Sequence, residues 1–282
     1  MPHQLYSNVV LSLPEEMYDI AYAVLNDYPL QGIEEGHDSI VVCFKQEDWT
    51  SEVETDIMSK LQTFIPDCSL VSTEIIEQKN WNEEWEQSLE PVVIDDMIII
   101  TPSWHAHSVS HPLPIIIDPK MSFGTGYHPT TRMTTRLIRE YAKPQSYWID
   151  AGTGTGVLAI AAAKLGVRSV FAFDYDEWSV ENARENIERN RVAENVAILQ
   201  ADIFTVELPQ VDGIAANMYR NVLIPSFPKL HAALRSHDSP LIISGILQYD
   251  EEELRSEAEK VGFTHVRTDR EDEWLAMVFT RG

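Results

Sequence analysis

Read for its apolar spacing alone, the chain opens on Leu5 to Leu13, a stretch that predicts a strand. Pro14-Glu15-Glu16 then starts a predicted helix to about Tyr28, with Met17, Ile20, Ala21 and Val24 on one face. Strand pairing is expected over Ile33 to Phe44. Asp48 is placed to cap a second helix, whose stripe of Val53, Ile57, Leu61 and Phe64 stops at Pro66, and a further strand follows from Ser69 to Ile76. The order strand, helix, two strands, helix, strand over residues 1–77 is that of a small α+β sandwich of ferredoxin-like type, expected to serve recognition or packing rather than catalysis. Residues 78–91 carry Trp81 and Trp85 one helical turn apart among acids, which predicts a linker helix docked by its tryptophans in preference to a substrate-contacting surface.

From Val92 the pattern changes. Strands are expected at Val92 to Thr101 and Pro114 to Asp118. Between them a loop, Trp104 to His111, carries His105, His107 and His111; no second cluster completes a metal site, and all three read as solvent-exposed. Strand-like runs then alternate with helix patterns: Tyr147 to Asp150, a helix bearing Leu158, Ile160, Ala161 and Leu165 that closes at Gly166, then Ser169 to Phe173, Val196 to Leu199, Val211 to Ala216 and Leu241 to Ser244. A helix from Glu251 to Val261 and strands around Val266 and from Trp274 to Phe279 complete the set. Residues 92–282 therefore predict an α/β, Rossmann-like seven-stranded sheet, parallel with an antiparallel end.

Composition narrows the function. At 282 residues the chain is long enough for two domains, and 44% hydrophobic with 23% charged is an ordinary globular balance. The charge is not ordinary: 45 acids against 21 bases give −24. Such a field repels nucleic-acid backbones and draws in basic partners, although acids also simply keep a protein in solution. Cys43 and Cys68 make neither a disulfide framework nor a zinc site and read as small core residues. With no secretory leader pattern at the start and no run of roughly 18 apolar residues, the expected location is cytoplasmic, away from membranes.

The chemistry concentrates between Tyr147 and Asp176. A buried strand runs into Gly152, Gly154 and Gly156 before a helix, so backbone N–H groups at a helix start lie open to close approach by a ligand. The next strand delivers Asp174 to the carboxyl edge of the sheet, where an acid can accept both hydroxyls of a ribose. Dinucleotide sites need G-x-G-x-x-G, whereas the spacing here is G-x-G-x-G with Asp150 two residues ahead. A carboxylate is unfavourable near a pyrophosphate and tolerable near the ammonium of a sulfonium amino acid, so S-adenosylmethionine fits better than a nicotinamide. No Gly-Lys-Ser/Thr follows, which removes a P-loop. A second turn, Phe-Gly-Thr-Gly, precedes His128-Pro129-Thr130-Thr131 at another helix start.

Phe123 to Thr131 (F-G-T-G-x-H-x-T-T), Asp150 to Gly156 (D-x-G-x-G-x-G), Asp174, Asn217 in AANM and Ser244 to Leu247 (S-G-I-L) occur in this order. Together they resemble the PrmA family, class I methyltransferases that modify the large-subunit ribosomal protein numbered eleven, from the tryptophan-rich linker to Gly282. The resemblance implies a basic ribosomal protein as substrate, lysine and possibly N-terminal amines as acceptors, and S-adenosylmethionine contacts from Thr131, Gly152, Asp174 and Asn217, with Phe123 and His128 in the same loop. It assigns substrate capture to the first domain.

Gly154 belongs to the same glycine turn. Asp202, following Val196 to Leu199, either meets the adenine amino group through its acid or a neighbouring amide, or is a loop acid in water. Asn217, at the end of Val211 to Ala216, is placed near the acceptor, although an amide there also suits a helix cap. Two departures from the family pattern stand out: motif I reads G-T-G-T-G where cysteine or serine often fills the variable places, and Met218-Tyr219-Arg220 follows Asn217 where an aliphatic residue and a less basic stretch are more usual; without Pro-Pro and an aromatic there, the planar-amide and adenine-N6 enzymes do not match. No histidine or acid is singled out as a base, which points to catalysis by positioning. An enzyme acting on RNA or a small molecule, or a cofactor-binding scaffold without turnover, are the other readings.

Overall fold

The computed structural model describes residues 5–77 and 88–282. The chain folds as two compact units, Met1–Trp81 and Asn82–Gly282. In the first, β1 (Leu5–Ser12), α1 (Tyr18–Leu25), β2 (Leu30–Glu35), β3 (Ser39–Lys45), α2 (Ser51–Phe64) and β4 (Ser69–Glu77) follow the order expected from the sequence. The sheet order is β2-β3-β1-β4, with β1 antiparallel to both neighbours. Val9, Leu11, Val42 and Phe44 face Ala21, Leu25, Ile57 and Leu61 in one apolar core.

Three local expectations are corrected. α2 is capped by Thr50, extended at φ −112° and ψ 163°, whose Oγ1 accepts from Val53 N at 3.3 Å. Asp48 instead closes a 3-10 turn over Gln46–Asp48. α1 starts only after a 3-10 turn over Glu15–Met17 and ends at Leu25, short of Tyr28. Cys68 is buried, whereas Cys43 is half-buried. The linker helix expected over 78–91 lies largely outside the described residues.

The second unit starts with a small sheet of β5 (Val92–Val93), β6 (Ile98–Thr101) and β7 (Leu113–Ile116). The single strand expected from Val92 to Thr101 is broken because Asp95 Oδ1 accepts from both Met97 N (2.8 Å) and Ile98 N (2.7 Å), turning the backbone on itself. His107 is exposed as expected, but His105 and His111 are half-buried. The Nε2 of His111 lies 2.9 Å from the Asp95 carbonyl and so reinforces this turn.

The main sheet holds β8 (Tyr147–Ala151), β9 (Ser169–Asp174), β10 (Val196–Gln200), β11 (Gly213–Asn217), β12 (Pro240–Leu247), β13 (Thr264–Glu271) and β14 (Trp274–Thr280). Its order is β10-β9-β8-β11-β12-β14-β13, parallel through β12, with β14 antiparallel to both β12 and β13. Helices α3 (Pro129–Tyr141), α4 (Val157–Lys164), α5 (Glu177–Arg189), α6 (Arg220–Ala233) and α7 (Glu251–Val261) accompany it. The period-2 alternation of strands divides the core in two. Trp148, Ala215, Ile242 and Ala276 enter one apolar cluster, and Ile149, Ile214, Ile243 and Met277 enter the other. Apart from Lys164 at its end, α4 is apolar and buried all round.

One helix is fixed by amides as well as by apolar side chains. Asn182, Asn186 and Asn190 lie one turn apart in and just after α5 and are all buried. Asn190 accepts from Ile116 N (2.9 Å) and donates to Ile116 O (2.6 Å). Asn186 accepts from Asp118 N (3.1 Å) and donates to Thr155 O (3.0 Å), and Asn182 donates to Asp118 O (2.8 Å). These bonds anchor the end of β7 and the segment after it to α5. Asn186→Ala orphans a buried N–H and removes a donor from the Thr155 carbonyl, so urea denaturation should show a loss of about 2–3 kcal/mol. A loss within about 0.5 kcal/mol, the range of ordinary surface substitutions, would mean that the ladder contributes nothing.

Candidate active site

In order of the chain, β8, β9 and β10 step outward in one direction, and β11 and β12 step the other way. The reversal between β8 and β11 opens a crevice at the carboxyl ends of the strands, the place where open α/β sheets bind ligands. A cavity of about 510 Å³ lies there, and Gly152, Gly154, Asp174, Asp202, Asn217, Phe123 and His128 all line it. These are seven of the eight residues singled out from the sequence.

The turn after β8 is held from several sides. Gly152 N and Thr153 N both donate to Phe173 O at 3.0 Å. Gly154 N donates to Asp174 Oδ2 at 2.9 Å, and Asp174 Oδ1 accepts from Asp176 N at 3.1 Å. Each oxygen of Asp174 thus keeps acceptor capacity for a further donor. Gly154 sits at φ +53°, and a Cβ there would overlap the carbonyl oxygen of Phe123.

Asp150 lies beneath this turn and does not line the cavity. Its Oδ2 accepts from Thr153 Oγ1 (2.6 Å) and Ala159 N (3.0 Å), while Oδ1 is buried without a partner. The carboxylate therefore clamps the turn to the start of α4, rather than lying beside a ligand's ammonium group as its spacing suggested. Burial raises its pKa to about 7, against the pull of those two donors.

The loop before α3 packs directly on the turn. Thr155 N donates to Phe123 O (2.9 Å) and Thr155 Oγ1 to Gly124 O (2.8 Å). His128 is the N-cap of α3, and its ring meets Phe123 and Trp274 edge-on at 5.2 and 4.5 Å between centroids. Thr130, not Thr131, borders the cavity. The Thr131 side chain is fully buried behind it, with Oγ1 unpartnered. Asn217, ending β11, donates from Nδ2 to Thr130 Oγ1 at 3.3 Å. Asp202 is exposed, and its Oδ1 accepts from Phe204 N at 2.9 Å.

The sequence reading passed over four aromatic residues that line the cavity: Tyr175, Phe204, Tyr219 and Trp274. For the first three a signal was present, since each follows by one or two positions a polar residue at or just past a strand end, Asp174, Asp202 or Asn217. Trp274 comes from β14, far along the chain, and nothing local marks it. A shallower depression of about 790 Å³ borders α3 and β13. Every arginine lining it is already paired with a carboxylate: Arg136 with Glu271, Arg139 with Asp95, Arg267 with Asp269 and Arg270 with Glu251. Those groups serve the fold and leave no free cation for a ligand.

The family model for ribosomal protein L11 methyltransferase (PrmA) matches residues 19–282. A ribosomal protein L11 methyltransferase of Chlorobaculum tepidum is 35% identical over 285 residues, covering 98% of this chain and 97% of its own length. One from Bacillus cytotoxicus is 34% identical, covering 94% and 85%. Among solved structures, a ribosomal protein L11 methylase from Lactobacillus delbrueckii subsp. bulgaricus superposes with a TM-score of 0.62 at 28% identity, covering 68% of this chain and 99% of that one.

The Asp150 environment sets a pH signature. A carboxyl whose folded pKa lies above its unfolded value contributes stability that is complete below about pH 4 and lost as pH rises through about 7. Asp150→Asn keeps an acceptor for Thr153 and Ala159 but does not titrate. Its stability relative to the parent chain should therefore rise by about 3–4 kcal/mol between pH 4 and 8 in denaturant titrations. A pH-independent difference would refute the account of this carboxylate.

Proposed function

Because the chain belongs to the ribosomal protein L11 methyltransferase (PrmA) family, we propose that it transfers methyl groups from S-adenosylmethionine to lysine side chains, and also to an N-terminal amine, of a large-subunit ribosomal protein. The observation that carries this reading is the meeting of a glycine turn with the free lone pairs of Asp174 at the strand switch point. Asp174 would accept the ribose hydroxyls, the Gly152–Gly154 turn would take the amino-acid end, and the Asp202–Phe204 segment would border the adenine. The fit is supported by the acceptors at the cavity wall, the two oxygens of Asp174 with capacity to spare and the buried, unpartnered Oδ1 of Asn217. Residues 1–77 are assigned to capture of the basic substrate, in keeping with the net charge of −24. Among the described residues no helix is long and apolar enough to cross a membrane.

S-adenosylmethionine, when bound, supplies an activated methyl group on a sulfonium centre. The protein's task is then alignment and proton management. The amine lone pair would form the N–C bond as the C–S bond broke, the bonding pair leaving with sulfur as a neutral thioether and the amine proton passing to water. A lysine of pKa near 10.4 is neutral at pH 7 in about one molecule in 2,500, a cost of about 4.6 kcal/mol. Desolvation on docking into an aromatic-walled cavity favours the neutral amine, whereas Asp174 favours the ammonium. An α-amine, with a pKa of about 8, is the easier acceptor. Positioning supplies most of the remaining acceleration.

Incubation with tritiated methyl donor and separate ribosomal-protein, RNA and metabolite fractions should label the ribosomal protein alone; label in another fraction would reassign the substrate. Asp174→Ala should weaken methyl-donor binding by about 1–3 kcal/mol in calorimetry, through lost hydrogen bonds to a charged acceptor. Unchanged affinity would remove Asp174 from the cofactor site.

A further inference from the structure

At the wall of the cavity His128, Thr130 and Asn217 form a chain whose hydrogen-bond directions are set by the tautomer of the ring. The backbone N–H of Thr130 donates to His128 Nδ1 at 3.3 Å, so that nitrogen is an acceptor and the ring proton sits on Nε2. Thr130 Oγ1 lies 2.7 Å from the same nitrogen and, facing an acceptor, directs its single proton there. Asn217 must then donate to Thr130 Oγ1, which places Nδ2 on the threonine side. Its Oδ1 is left as a buried acceptor without a protein partner. The orientation of the amide thus follows from the tautomer of a ring two bonds away in the chain.

The surroundings keep that ring neutral. Burial first, and then the guanidinium of Arg132, push the His128 pKa below its ordinary value. Phe123 and Trp274, which pack on the ring from the preceding loop and from β14, are uncharged. Arg132, on the same helix, is paired with Glu271 of β13 (Nε to Oε1, 2.6 Å). Asp174, which lines the same cavity, accepts one N–H on each oxygen, from Gly154 and from Asp176.

We propose that His128 is a positioning residue for methyl transfer, acting through Thr130 to hold the Asn217 carboxamide with Oδ1 available to the incoming amine. This rests on the methyltransferase reading above. An amine that donates an N–H to Oδ1 keeps its lone pair free for the methyl carbon. An amide turned by 180° would offer Nδ2–H instead and bind the very lone pair that must attack. Protonation of His128 at Nδ1 reverses the chain: Nδ1–H donates to Thr130 Oγ1, the hydroxyl then donates to Asn217 Oδ1, and the amide turns its donors to the amine.

The test combines kinetics with a readout that needs no cofactor. In single-turnover experiments the substrate amine alone gives log rate a slope of one against pH. In the parent enzyme the slope should steepen to two below the His128 pKa, which lies under about 6.5. His128→Asn places Oδ1 where Nδ1 stood and cannot titrate, so its slope should stay at one. Thr130→Val should lower the single-turnover rate roughly tenfold to a hundredfold at about pH 8 while changing methyl-donor affinity far less, and Thr130→Ser should recover most of the loss. Nitrogen-15 spectra of the ring in the protein alone should show Nδ1 unprotonated at neutral pH. A protonated Nδ1, or a parent slope no steeper than that of His128→Asn, overturns the proposal. Absence of methyl transfer by the parent enzyme, with the Nε2–H tautomer in place, instead overturns the function on which it rests.

Discussion

The carbonyl of Phe123 lies directly over the α-carbon of Gly154, so close that no side chain fits between them, and it accepts the N–H of Thr155 at 2.9 Å. Two segments far apart in the chain are fixed to one another by that approach. Asp174 grips the same turn through the N–H of Gly154, and Asn186 reaches the carbonyl of Thr155. A turn constrained by three different elements has little freedom to lose when a ligand arrives, which is the general advantage of preorganisation. The aromatic walls depend on it too, since Phe123 and His128 are carried by the loop that it pins.

The arrangement also separates two carboxylates by environment. Asp174 stands at a strand end with lone pairs to spare, whereas Asp150, just ahead of the glycines, is sealed under the turn and holds it from inside. The site therefore carries a cavity-facing acid and a structural acid, a division set by burial rather than by residue type. Most of the arginines of the second unit are likewise engaged with nearby acids. The few positive charges of this acidic chain contribute to cohesion, and the remaining acids set the field that a partner meets.

The sheet was largely legible in the sequence because parallel strands buried on both faces leave continuous apolar runs, and because Gly152 to Gly156, Asp174 and Asn217 fall at the ends of those runs. Residues defined by a neighbour's position escaped. Thr130 and Thr131 cannot be told apart by composition, and only the rotation of α3 decides which hydroxyl meets the cavity. Asp150 looked like a ligand group because spacing carries no information on which way a side chain turns from a strand. The break at Asp95 depended on a side-chain oxygen capturing two backbone N–H groups, a competition that strand propensity does not record.

The asparagine ladder of α5 gives this helix an address as well as an attachment. Leucines in the same positions would pack in several rotational settings of similar energy, whereas amides bonded to Ile116, Asp118 and Thr155 are satisfied in one setting only. The partners of Asn190 lie 74 residues earlier in the chain. The helix can form by its own propensity, but it cannot lock into its final angle until that distant segment has arrived, so its setting over the glycine turn depends on closing a long loop.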